Sequence, residues 1–321
     1  MEYRTLGRTG ARVSALCLGA WMFGDRADAA ESERILDESR AAGINFVDTA
    51  NVYAGQRSEE ILGNWFAAGD GRREDTFLAT KVHGRVAPGP NGAGNHRYHV
   101  VRQVEASLRR LQTDRIDLYY FHRPDPETPV AEQVGVMQDL VRQGKVVHYG
   151  TSHYPAWMIL QGMWDAARLS GPAWVADQPR YSLVDRAIEP DVVPFAQETG
   201  YGLVPHSPLA GGFLTGKYRR GEAAPGDSRG ARREGFLDER SDEAWALLDR
   251  LTEVAREAGC TPGQAAIAWV LTRPFVDSTI IGPRSVEQFR DNLGAQDVTL
   301  PAEAVAALDG ASEFATRLPR T

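Results

Sequence analysis

Cysteine is nearly missing from this chain: Cys17 and Cys260 are the two among 321 residues. Neither stands in a metal-ligand spacing, and two isolated thiols build no disulfide framework. A stapled secreted scaffold is thereby excluded, and a reducing, cytoplasmic setting is expected. Long apolar runs are missing as well. No stretch approaches the roughly 20 residues that cross a bilayer, and the N-terminus MEYRTLGRTG has no apolar centre of the signal-peptide kind. No membrane partner is expected. There is no basic stripe either: the net charge is -7 and the pI about 5.6, so no nucleic-acid partner is read. The chain has no G-x-S-x-G nucleophile elbow. His96 and His99 lie close together, but in a loop of small and basic residues, and no metal site is read there.

What is present is an alternation. Short apolar runs occur at 13–19, 45–49, 76–82, 116–122, 146–152, 174–179, 202–208 and 278–282. Most are nearly continuous, as expected of parallel strands buried on both faces. Helical periodicity fills the gaps. Residues 31–43 place Ile35, Leu36 and Ser39 on one stripe. Residues 101–112 align Val101, Val104, Leu108 and Leu111. Residues 130–144 align Val134, Met137, Leu140 and Val141. Thr261-Pro262-Gly263-Gln264 carries the signals of a capped helix start, and Ser285 with Gln288 repeats the capping box.

Eight such units in about 300 residues fit a closed (β/α)8 barrel, one domain over 1–321. An open doubly wound sheet would want a glycine fingerprint after its first strand, and Gly19 and Gly24 have the wrong spacing for it. The opening YRTLGRTGARV reads as a β-hairpin that plugs the barrel floor. Two long connections, 83–97 after the third barrel strand and 210–242 after the seventh, fall where a barrel builds its active site and suggest mobile lids.

Polar residues stand where such a fold rejects them. Asp48 ends the second barrel strand, Lys81 lies near the end of the third, and His122 closes the fourth; Tyr53 follows in the loop after Asp48. The bland alternative is a structural ion pair, Asp48 with Lys81, beside a satisfied histidine. The chemical reading is a general acid. An ammonium beside the phenol favours the phenolate and lowers the pKa of Tyr53, Asp48 holds the ammonium, and His122 orients a carbonyl oxygen. Protonating an alkoxide requires a hydride source, so a cofactor is implied. The segment 282–294, GPRSVEQFRDNLG, joins a glycine turn, a basic side chain and a helix N-terminus into a candidate phosphate cradle.

These residues resemble the aldo-keto reductase superfamily along nearly the whole chain. The matching stretches include CLGAW (17–21), GINFVDTANVYAGQRSEEILG (43–63), LATKV (78–82), DLYYFHRPDPETP (117–129), GKVVHYGTSHY (144–154), DQPRYSL (177–183), SPLAGGFLTGKY (207–218) and IIGPRSVEQFRDNLGA (280–295). The terminal G-x-x-S-x-x-Q-x-x-x-N pattern looks most like the bacterial and channel-subunit-like branches. The resemblance implies Tyr53 as acid with Lys81, Asp48 and His122, and Trp21 near a nicotinamide. Ser152 and Gln178 would hold its carboxamide. His153 stands where asparagine is usual, and His206 where the family stacks an aromatic ring. Ser207, Leu209, Gly211 and Lys217 would meet the pyrophosphate; Gly282, Arg284, Gln288, Asp291 and Asn292 would meet the adenosine end.

Arg284, helped by Ser285, suits a 2′-phosphate, so NADP(H) is expected over NAD(H), with Asp291 as a mild counterweight. Trp21, Met22, Phe23, Val52 and Trp157 are read as an apolar mouth for aldehydes or ketones beside Tyr53 and His122. His83 and Arg123 stand near the catalytic level. The alternative function is a nucleotide-binding regulatory subunit similar to potassium-channel β subunits. With the first barrel motif almost at residue 1, the enzyme is expected. The oligomeric state is left open.

Overall fold

The computed structural model describes residues 1–317; the last four positions of the single-domain span lie outside the described residues. The chain opens with a hairpin of β1 (Tyr3–Thr5) and β2 (Arg12–Ser14). Eight parallel strands follow: β3 (Leu16–Gly19), β4 (Phe46–Asp48), β5 (Phe77–Val82), β6 (Ile116–Phe121), β7 (Val146–Thr151), β8 (Ala176–Asp177), β9 (Gly202–Leu203) and β10 (Thr279–Ile281). They pair in chain order, and β10 pairs with β3. The ring closes between β9 and β10, where the Asp277 and Ile280 amides each donate to carbonyls of Leu203 and Pro205 at 2.9 Å.

The expected strands are present but trimmed. The run 13–19 divides at Ala15: Val13 and Ser14 belong to the hairpin, and the barrel strand begins at Leu16. The runs 174–179 and 202–208 shrink to two paired residues each, since Pro179, Pro205 and Pro208 have no N–H to give a ladder.

The connecting helices are α1 (Ala29–Ala41), α2 (Arg57–Ala67), α3 (Arg97–Leu111), α4 (Val130–Arg142), α5 (Ala156–Arg168), α6 (Val192–Thr199), the single turn α7 (Arg229–Arg232), α8 (Asp242–Glu257), α9 (Pro262–Leu271), α10 (Val286–Leu293) and α11 (Ala302–Ala311). On α3 the buried face runs through Val100, Val104, Leu108 and Leu111, and the expected Val101 is exposed. The helix starts four residues earlier than its apolar pattern, at the His96 cap, and Val100 rather than Val101 then meets the sheet. The Thr261–Gln264 capping box forms in full. At Ser285 it is half formed: Ser285 accepts from the Gln288 amide, but the Gln288 side chain accepts from Arg284 N instead.

Period-two alternation sorts the side chains. Leu16, Leu18, Val47 and Leu78 face outward to the helices. Cys17, Phe46, Ala79, Leu118, Tyr120, Ala176, Val204 and Ile280 fill the interior, joined from below by Leu6 and Val13 of the hairpin. The hairpin is clasped by the far end of the chain. Arg4 donates to the carbonyls of Val276 (2.8 Å) and Leu271 (2.9 Å), and Gly7 N donates to Asp277 Oδ2 at 2.7 Å. Burial pushes the Asp277 carboxyl up to about 6, against the backbone hydrogen bonds with Gly7 and Leu203 and the charge of Arg4.

Candidate active site

The inward columns of three neighbouring strands end in polar residues. Phe46 leads to Asp48, Ala79 to Lys81, and Leu118 and Tyr120 to His122. Tyr53 enters from a short turn, Tyr53–Gln56, held over the same spot. The structure brings all four together. Lys81 Nζ, wholly buried, donates to Asp48 Oδ1, to the Thr49 carbonyl at 2.7 Å and to the Tyr53 hydroxyl at 3.2 Å. On the other side of the hydroxyl, His122 Nε2 lies at 3.4 Å. The second Asp48 oxygen accepts from Gln178 Nε2 at 2.8 Å. The carboxylate is therefore bonded on both oxygens, as a buried charge requires.

Burial raises the Asp48 carboxyl above its ordinary range, with Lys81 opposing. Burial alone would depress the Lys81 ammonium, but Asp48 and the Tyr53 phenol carry it above its usual value. Burial also raises Tyr53, and the Lys81 charge opposes without overturning it. This corrects the expected lowering: desolvation of a phenolate outweighs one neighbouring cation. His122 is driven well below its ordinary value by burial, then by Lys81, His153 and Arg123. Between them these shifts leave a protonated phenol flanked by an ammonium and a neutral imidazole.

Beyond His122 the rim continues through the carboxamide candidates. Ser152 Oγ donates to the Gln178 carbonyl at 2.7 Å. His153 takes a left-handed conformation, φ +62°, a region asparagine and histidine tolerate better than most residues. Its Nε2 meets His206 Nε2 at 3.1 Å, and His206 Nδ1 meets Ser207 Oγ at 2.9 Å. Burial holds His153 at about 4, with Arg180, Arg123 and Lys81 adding to it. Burial, then His153, lowers His206 well below its usual value. Both rings are neutral, so one donates its N–H to the other.

The nucleotide candidates lie across the mouth. Trp21 is half exposed, and an added Cβ at Gly282 would meet its ring at 3.4 Å. Leu209 precedes the turn Ala210–Thr215, in which Gly211 has φ +69° and lies against the Arg229 side chain. Arg229 in turn covers the Trp21 ring at 5.1 Å. Lys217 is exposed, with its Nζ beside Gly212. Arg284 Nη1 pairs with Asp227 Oδ2 at 2.5 Å, and Arg26 binds the other oxygen of the same carboxylate. The N-terminus of α10 is already filled: Val286 N donates to Glu31 Oε1 at 2.7 Å. The Asp291 carboxylate accepts from Thr261 at 3.1 Å, joining α9 to α10, and Asn292 is buried. Sequence reasoning missed Arg26, Asp227 and Arg229. Nothing local marks them, since 201 residues separate Arg26 from Asp227.

The substrate candidates are not brought together as a set. Met22 is partly buried, but Phe23 is fully buried among Leu16, Leu18 and Ile35, because the turn bridging Phe23 to Ala27 rotates it inward. Trp157 is 66% exposed, on the solvent face of α5 with Leu160 and Trp164. Val52 lines a cavity of about 370 Å³ with Gln56, Val86 and Pro88. The loop 83–97 is tied down at its far end by the buried Asn95. Its amide donates to Asp125 at 2.7 Å and its side chain meets Tyr154, Arg123 O and His83 Nδ1. Among the described residues no group of three or more His, Cys, Asp or Glu is placed to hold a metal ion, and no helix is long and apolar enough to cross a membrane.

Comparison with known proteins bears on the family of the chain. The model of the Aldo/keto reductase family matches residues 15–313. An oxidoreductase of Bacillus subtilis, YrpG, is 39% identical over 317 residues, covering 96% of this chain and 95% of the relative. A probable voltage-gated potassium channel subunit beta of Arabidopsis thaliana is 38% identical over 326 residues, covering 100% and 98%. A protein of the same description from Oryza sativa subsp. japonica is 40% identical over 304 residues, covering 93% and 92%.

Proposed function

Since the chain belongs to the aldo/keto reductase family, we propose that it is an NADP(H)-dependent oxidoreductase that reduces aldehydes or ketones to alcohols, with Tyr53 as general acid. One observation carries this reading: Lys81 Nζ at 3.2 Å and His122 Nε2 at 3.4 Å converge on the Tyr53 hydroxyl. A nicotinamide, when bound, supplies the hydride that no side chain can. The residues present fit that group. Arg26 and Arg284 already converge on one carboxylate, so a pair of guanidiniums stands ready for a more highly charged anion such as a 2′-phosphate. Gly211 and Gly282 keep the adjoining wall free of Cβ atoms beside Arg229 and Trp21.

The protein residues then divide the work. Neutral His122 donates an N–H to the substrate carbonyl oxygen and orients it beside the Tyr53 hydroxyl. As negative charge grows on that oxygen, Tyr53 hands over its phenolic proton. Its raised pKa keeps the proton in place until an alkoxide, a far stronger base, is there to take it. The phenolate left behind faces the Lys81 ammonium, which Asp48 and the Thr49 carbonyl hold in position. Gln178 fixes Asp48 in turn.

Replacing Tyr53 by Phe tests the assignment. Carbonyl reduction should fall by about 10²–10⁴-fold, while nucleotide binding, followed by quenching of protein fluorescence, stays as in the parent. A Tyr53→Phe variant that reduces carbonyls at the parental rate overturns it. The same carbonyl panel, run with NADPH and with NADH, reads the cofactor. The relatives described as channel subunits favour a second reading, a nucleotide-binding regulatory subunit. Tight nucleotide binding without turnover of any carbonyl in the panel would favour it.

A further inference from the structure

Surface helices of this barrel turn charges to solvent. α1 exposes Glu33, Arg34 and Asp37, and α8 exposes Asp249, Glu253 and Arg256. α5 does not. Its outward residues are Trp157 (66% exposed), Leu160 (53%), Gln161 and Trp164 (69%), then Ala167 and Arg168. The one charge in this set, Arg168, is already paired with Asp165 at 3.6 Å. The opposite face of the helix is fixed in the fold. Met158, Ile159 and Ala166 are buried, and Trp174 sits so close over Gly162 that an added Cβ would fall 1.6 Å from its ring. The two tryptophans therefore cannot roll inward.

We propose that this face of α5 is a two-fold interface with a second copy of the chain. The order of residues is self-complementary. Positions 157, 160, 161 and 164 lie symmetrically about the point between 160 and 161, with tryptophan at both ends and Leu160 mirrored by Gln161. An antiparallel pair of α5 helices sets each Trp157 against the partner copy's equivalent of Trp164, with the leucines flanking the axis. An isologous contact requires this property: the same patch must complement itself. The area also fits. Two tryptophans and a leucine at these exposures present roughly 450 Å² of side-chain surface per copy. Two copies bury about 900 Å² from these residues alone, close to the roughly 1,000 Å² of a specific interface, before its rim is counted. Tryptophan anchors at the centre with uncharged neighbours match the composition of such cores.

The mass of the protein in solution, measured by light scattering at micromolar concentration, tests this without reference to turnover. The parent should have twice the 35.2 kDa chain mass, or a higher even multiple. Trp164→Glu should halve that mass while circular dichroism and melting temperature stay as in the parent. In a Cys260→Ser background, which removes the partly exposed thiol, a Leu160→Cys variant should form a disulfide-linked dimer on mild oxidation, and the Cys260→Ser parent, left with the buried Cys17, should not. A monomeric parent, or an assembly that Trp164→Glu leaves intact, overturns the proposal. So does a Leu160→Cys dimer that resists cross-linking, since the antiparallel register places residue 160 at the axis.

Discussion

On one side of the barrel mouth Lys81 is wholly buried and bonded to Asp48, Thr49 and Tyr53; on the other, Asp227 has a side chain 70% exposed and bridges Arg26 and Arg284. In the first set Asp48 and Lys81 project from neighbouring strands, whose spacing is fixed by the ladder, and Tyr53 reaches them from the turn after β4. The second joins the turn before α1, the long segment before α8 and the turn before α10. Buried pairs gain from low dielectric and lose heavily if broken, while exposed ones are screened and worth little to stability. On the proposed function the two sides would serve different tasks: one would hold a proton donor without adjustment, and the other an anion that must come and go.

The largest effect should come from breaking the buried side. Lys81→Met leaves Asp48 buried without its cation and should cost about 3–5 kcal/mol of unfolding free energy in denaturant titrations. Reduction should fall at least as far as in Tyr53→Phe. Adding Asp48→Asn should restore much of the stability but none of the rate. A Lys81→Met protein as stable as its parent would mean that the pair is not the constraint described.

The exposed side should respond more mildly and more selectively. Arg284→Ala removes one charge-assisted contact and should weaken NADPH relative to NADH by about 10–100-fold in binding titrations, an energy of roughly 1.5–3 kcal/mol. It should leave the melting temperature nearly unchanged. Equal preference for the two nucleotides in the unmodified protein would sink the role given to Arg284.

A further effect, read in stability against pH, concerns the histidine pair at the rim of the mouth, His153 and His206. Burial holds His153 at about 4 against an ordinary 6.5, so the unfolded chain binds a proton that the folded chain refuses. Stability is complete above the unfolded value and drains as pH falls from about 6.5 towards 4. Melting temperatures taken across this window should fall with pH, and His153→Asn should make the slope shallower. An unchanged slope would show that His153 carries none of it.

How much was legible follows the same division. Asp48, Lys81 and His122 could be read because each interrupts an inward column that otherwise holds apolar residues, and a period of two makes the interruption visible. Tyr53 lies outside any periodic element, and its neighbours single it out. Phe23 was misplaced because adjacency to Trp21 says nothing about the turn that rotates it into the core. Val101 lost its place to Val100 because the helix begins at a histidine cap that the apolar pattern does not reveal. Arg26 and Asp227 could not be paired at all, since nothing in either neighbourhood encodes a contact made 201 residues away.

The clasp at the barrel floor makes an equally long reach, with Gly7 and Asp277 separated by 270 positions. Contacts of such span are the slowest to form, because the intervening chain must be ordered before the bond can repay the loop it closes. On a ribosome the hairpin is made early, yet Arg4 and Gly7 must wait for Leu271, Val276 and Asp277, just ahead of β10, before their bonds can exist. Leu6 and Val13 meanwhile have no finished barrel to enter. Closure of the floor therefore requires residues 271–277, which follow seven of the eight barrel strands in the chain.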